Sequence, residues 1–240
     1  MDTHSVGVDY RSAGPRLRAA RIGVGVALVA VVIDAFLSLV AASVTGWAIG
    51  IDPAGAAARL DQLNVSTGVA DLLGRMMVIA TAAWVALVLT SLAAGVSLIR
   101  WQTAALANLR ALDPGRPRLP PWLAAVAWLV PVWSLFGPLL SFLDLWRSGD
   151  RVASDRSATR RFRVPAAHAG WWVLWQGALL LTALSMIRMS RSPTLATLLT
   201  EQLNQVVVDG ALVGAGLLLL RILTQTTARQ DARYAERSED

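Results

Sequence analysis

An all-α, polytopic membrane bundle is predicted by three features of the sequence. The 240 residues are 55% hydrophobic with a mean hydropathy of +0.52, and only 16% are charged. The apolar residues are gathered into runs long enough to cross a bilayer, which needs about 20 residues of helix. Arginines stand at the ends of those runs, where a guanidinium can reach water or lipid headgroups. The loops between runs are short, so the chain is read as one membrane domain over 22–223 with polar tails at 1–21 and 224–240.

The N-terminal tail carries Arg11, Arg16, Arg18 and Arg21. An apolar run follows from Ile22 to Val44. A cleaved signal peptide is the rival reading, but its apolar core is about 7–15 residues, so a retained span is expected. Asp52-Pro53 suits a helix start, and a short surface helix is expected over Ala54 to Leu63. Met76 to Ile99 is the second span, closed by Arg100 and Trp101. Asp113-Pro114-Gly115 then breaks the chain. Leu119 to Asp150 is apolar but holds Pro131 and Pro138, with a helix expected on each side of them. The basic loop 147–163 precedes Trp171 to Ile187, a third span, and Val206 to Leu223 is the last.

Positive charge decides how many runs cross, because arginine is retained on the cytoplasmic side. With five crossings the 22 basic residues, all arginine, divide ten and twelve. If 122–146 enters and leaves on one side as a proline-broken hairpin, they divide eighteen and four. Four spanning helices plus a re-entrant or interfacial hairpin are therefore expected, with both termini cytoplasmic; the alternative is five spans. Irregular backbone at membrane depth needs cover or a wet cavity, so 131–138 is expected to lie against other helices. All-arginine usage together with abundant alanine, glycine and valine points to a GC-rich bacterial genome, and hence to the bacterial cytoplasmic membrane. The absence of cysteine excludes disulfides and thiolate chemistry. The net charge of +6 is read as topology, since no basic-aromatic module for nucleic acid accompanies it.

Ionisable groups inside spans are functional candidates by default. Asp34 lies about twelve residues into the first span, with Ser134 or Gln176 as its possible donors and no second acid expected at its depth. Arg188 and Asp209 are expected to pair across the last helix hairpin. Arg147, Arg151, Arg156, Arg160, Arg161 and Arg163 form a cluster able to contact anionic lipid headgroups. Trp101, Trp122, Trp146, Trp171 and Trp172 are read as an interfacial belt, and Trp128, Trp133 and Phe136 as packing. The Gly210–Gly214 spacing permits close helix approach. His4 and His168 are isolated, and no catalytic or metal motif is present, so neither an enzyme nor a cofactor is expected.

One region also carries a family resemblance. Trp101, Asn108 to Leu112 with Arg110, Pro121-Trp122, the core from Pro131 to Pro138, the run Trp146-Arg147-Ser148-Gly149-Asp150, and Trp171-Trp172 with Trp175 resemble the bacterial domain of unknown function 4328 family. The likeness spans about 76–209 and implies a multi-pass membrane protein, of a kind seen largely in actinobacteria, without an assigned activity. The family tends to place Asn, Trp and Arg before the second proline; here Ser134, Phe136 and Gly137 stand there. Two roles are open: an accessory or interaction component, or a small transporter or channel subunit with a pathway near Asp34 and the 131–138 break.

Overall fold

The computed structural model describes residues 10–51, 67–112, 120–148, 164–191 and 194–239. Every regular element among them is helical. The elements are α1 (Gly14–Ile51), α2 (Thr67–Leu112), α3 (Pro121–Leu129), α4 (Pro131–Ser134), α5 (Gly137–Ser148), α6 (Ala166–Arg191) and α7 (Leu195–Glu239). Four of them, α1, α2, α6 and α7, are long and apolar enough to cross a membrane.

Helix starts follow local chemistry. Proline has no N–H to lose at a first turn, and Pro121 and Pro131 open α3 and α4. The Pro165 carbonyl accepts from His168 and Ala169 as α6 begins. At α7 the Thr194 hydroxyl caps the Thr197 amide at 3.1 Å while the Thr197 hydroxyl accepts from the Thr194 amide at 2.8 Å, a reciprocal capping arrangement. Within the spans, Thr90 and Thr182 turn their hydroxyls back onto carbonyls one turn earlier, which satisfies both groups without water.

All four expected spans lie inside longer helices. α2 has 46 residues, or about 69 Å at 1.5 Å per residue, more than twice a hydrocarbon core of about 30 Å. The flanks 100–112 and 224–239 are polar but rich in Ala, Arg and Gln, which favour helix. The expected C-terminal tail is thus a continuation of α7. The surface helix expected over Ala54 to Leu63 lies outside the described residues.

The central stretch is a hairpin. α3 and α5 contact each other, and with 9 and 12 residues they reach about 14 and 18 Å, too short to span. Gly137 is the pivot. A Cβ built on it would stand 2.7 Å from the Ala127 Cβ and from the Trp133 ring, so only glycine lets the arms close. The expectation that 131–138 sits against other helices is corrected in part. Gly137 and Pro138 are buried, whereas Val132, Trp133, Leu135 and Phe136 are exposed. The break tolerates this because its backbone is bonded locally: Ser134 donates to Val130, Phe136 to Trp133 and Leu140 to Phe136. The indole N–H of Trp172 covers the Leu135 carbonyl at 2.6 Å.

The chain divides into two compact units, and each long helix contributes a part to both. The first unit, 1–25, 93–172 and 217–240, has a dense core: Trp101, Leu109, Leu112, Phe142, Trp171 and Ile222 are all nearly inaccessible. Gly23 brings α1 onto α2 there, its Cβ position 3.1 Å from the Ala94 Cα. The second unit, 26–92 and 173–216, buries little and exposes Phe36, Ile79, Trp84 and Leu180. That apolar exterior suits helices long and apolar enough to cross a membrane. In this unit the Gly210–Gly214 spacing gives close approach at one of its two glycines: nothing lies within 4 Å of a Cβ on Gly210, while Gly214 packs on Leu174, as Gly216 does on Leu28.

Candidate functional site

The second unit holds Asp34 and Asp209, the two carboxylates inside the expected spans. On α7, Glu201, Gln205 and Asp209 recur every four residues and so share one face. Gln205 donates both amide hydrogens: one to Asp209 Oδ1 at 3.0 Å, one to Asp34 Oδ2 on α1 at 3.3 Å. Asp209 is fully buried and its other oxygen, Oδ2, has no hydrogen-bond partner. Two carboxylates therefore share a single amide donor. Such a pair can lock two helices, or it can hold a proton or small cation, since close carboxylates resist being charged together.

This cluster changes two expectations. Asp34 does have a second acid beside it, Asp209, and the donor it meets is Gln205. Ser134 belongs to the hairpin in the first unit; Gln176 lies on α6 in the second. The expected Arg188–Asp209 pair is also corrected. Arg188 Nε donates to Glu201 Oε1 at 2.6 Å, and the Ser185 hydroxyl donates to the same carboxylate. The reason is register. α6 and α7 are joined at 192–194, so Arg188 near the end of α6 meets the second turn of α7, and Asp209 lies about 12 Å further along.

The motif region builds the first unit. Trp128 Nε1 donates to Gln102 Oε1 at 2.8 Å, Gln102 Nε2 donates to Ser141 Oγ, and Ser141 bonds back to the Pro138 carbonyl at 2.9 Å. This chain of bonds ties the hairpin to α2. Trp101 Nε1 donates to Thr227 at 3.0 Å, and Gln230 donates to the Ala105 carbonyl, tying α2 to α7. Phe142 meets Trp171 edge-on at 5.1 Å. Trp146 lies between His168, 5.1 Å away, and the Arg229 guanidinium, 3.6 Å over its ring.

Trp122 is exposed, whereas Trp101 and Trp171 are core and so are not belt residues. His168 is not an isolated loop residue. It sits in the first turn of α6, buried, with both ring nitrogens unbonded. Asn108 clasps the backbone of Arg11, accepting from its N–H at 3.3 Å and donating to its carbonyl at 2.8 Å. Arg110 lies on α2 and Arg147 on α5. Asp150, Arg151, Arg156, Arg160, Arg161 and Arg163 lie outside the described residues.

Gln102 and Gln205 were not among the expected site residues. Gln205 is legible in retrospect from its place midway between Glu201 and Asp209. Gln102 is not, since a lone glutamine beside an arginine and a tryptophan reads as interface.

A family model described as Domain of unknown function (DUF4328) matches residues 61–228. No curated protein and no solved structure matches the chain.

Proposed function

This chain belongs to the domain of unknown function 4328 family, and from that premise we propose a non-enzymatic, multi-pass protein that serves as an accessory or interaction component of the bacterial cytoplasmic membrane. The observation that carries this reading is the use made of the motif side chains. Trp101, Asn108, Trp146, Trp171 and Trp172 are engaged in bonds and ring contacts within the first unit. That supports a motif for architecture rather than for a reaction. The arginine division favours four crossings, with both termini and the segments 113–119 and 149–163 in the cytoplasm. Cysteines introduced at Pro114 and Ser154, in a chain with none of its own, are expected to react with an impermeant maleimide from the same membrane face. Labelling from opposite faces would establish five crossings instead.

A second reading, proton- or cation-coupled transport, is favoured by Asp34 and Asp209 sharing the Gln205 amide. The decisive experiment is flux through the full-length protein in proteoliposomes, with proton, sodium and potassium gradients applied in turn. The accessory role predicts no flux above empty vesicles. Flux that disappears in both Asp34→Asn and Asp209→Asn would replace it with transport.

A further inference from the structure

In the first unit, where α1 begins beside the polar end of α2, a cavity of about 390 Å³ is lined by Arg11, Arg16, Arg100, Thr103 and Asn108. Ala104 and Ala107 complete its lining with short side chains. All three arginines are exposed. Among the described residues no carboxylate pairs with any of the three; the ion pair of Arg188 with Glu201 lies in the other unit. Their convergence is built rather than incidental. Asn108 is nearly inaccessible, and its amide, bonded twice to the Arg11 backbone, fixes the chain ahead of α1 against α2. The Thr103 hydroxyl donates to the Arg100 carbonyl at 3.1 Å. Three like charges gathered without a counter-charge among the described residues suit an anion. Guanidinium forks favour the tetrahedral oxygens of phosphate, which they can bond two at a time.

Depth narrows the ligand further. Arg100 directly follows the uncharged segment 76–99. Arg16 stands seven residues before Gly23 and Arg100 six residues after Ala94, and the Gly23–Ala94 contact sets the two at about the same height. The headgroup layer beyond a hydrocarbon core of about 30 Å is some 5–8 Å thick on each side. We propose that Arg11, Arg16 and Arg100 form a binding site for a phosphate-bearing anion at headgroup depth, either the phosphodiester of an anionic lipid or a free phosphate group, with Asn108 as its positioning residue.

The test uses the full-length protein in detergent. Native mass spectrometry measures binding of phosphatidylglycerol and of a galactosyl diacylglycerol, which has no phosphate; calorimetry measures inorganic phosphate. The wild type is expected to bind phosphatidylglycerol at least tenfold tighter than the galactolipid. With about fivefold per arginine near a membrane surface, the combined Arg11→Gln, Arg16→Gln, Arg100→Gln variant is expected to lose roughly a hundredfold. Arg221→Gln, which removes one arginine from outside the cavity, is expected to change nothing. Inorganic phosphate binding that is lost in the triple variant, without lipid preference, assigns the site to free phosphate. If the triple glutamine variant does not fold, the triple lysine variant decides: it keeps the charge but not the fork, and should weaken binding severalfold. A triple variant that matches Arg221→Gln, or a wild type with neither lipid preference nor phosphate binding, overturns the proposal.

Discussion

The two units are held together by different chemistry, although the same four helices run through both. The first contains 18 arginines and 10 acids, the second 4 arginines and 6 acids. In the first, buried amides and hydroxyls pair with indole N–H groups and backbone carbonyls around packed rings. In the second, the polar groups are carboxylates held by an amide, a hydroxyl and one guanidinium. The difference teaches where fold specificity lies. A side-chain bond in a membrane protein is worth about 0.6 kcal/mol on average. A core in which each bond also fixes a large ring gains packing besides, so the first unit should be the less tolerant of change.

The largest contrast is expected at glycines. Gly137→Ala in the first unit sets a Cβ 2.7 Å from the Ala127 Cβ, a short side chain that cannot swing away. Overpacking of this kind costs about 1–3 kcal/mol, and the upper end is expected. Gly216→Ala in the second unit meets only the far end of the Leu28 side chain. Leu28 can rotate, and alanine gains about 1 kcal/mol of helix propensity, so little net change is expected. Thermal melts in detergent, followed by tryptophan fluorescence, measure both. If Ala127→Gly fails to restore any of the loss at Gly137, the pivot is not what closes the hairpin.

A smaller contrast is expected at the two glutamines. Gln102→Leu strands the Trp128 N–H inside the first unit and takes one bond from the Ser141 hydroxyl, which keeps its bond to the Pro138 carbonyl. A buried polar group left without its partner costs about 1–3 kcal/mol, and about 2 kcal/mol in all is expected. Gln205→Leu frees Asp34 and Asp209 from a shared donor, with about 1 kcal/mol expected from ordinary intramembrane bonds. Equal losses in the same melts would erase the distinction between the units.

These positions also measure what was legible in the sequence. The four spans and the broken hairpin could be read because run length and proline placement act locally. Helix ends could not, because 100–112 and 224–239 are polar yet helix-forming, and polarity alone does not stop a helix. Trp101 looked like a belt residue because Arg100 precedes it; only Thr227, 126 positions away, makes it core. Arg188 was assigned to Asp209 because both flank the same turn, but the register of that turn selects Glu201. The three-arginine cavity was not visible as a cluster, since Arg11 and Arg100 come together only when Asn108 clasps the chain ahead of α1.

The smallest effect at neutral pH concerns Tyr10, where the chain enters α1. Its ring stacks on Tyr234 at 4.2 Å, and its hydroxyl donates to Asp231 Oδ1 at 2.6 Å. Burial first, then the bond to Asp231 and that carboxylate's charge, push the phenol well above the usual tyrosine range. The sign follows by linkage. A neutral Tyr10 keeps its bond to Asp231 intact below the ordinary phenol pKa of about 10, and that contribution is lost only as pH rises through the higher folded-state value. Stability should therefore be flat in this interaction across neutral pH and fall in strong base. Tyr10 and Tyr234 are the only tyrosines, so phenolate absorbance separates them once Tyr234→Phe leaves Tyr10 alone. The remaining tyrosine should ionise later than free tyrosine. Asp231→Asn should bring it part of the way back, because burial, the larger cause, remains. Ionisation at the ordinary value in the folded protein would mean that the start of α1 is not docked on the end of α7, and would remove one of the bonds that set the first unit apart from the second.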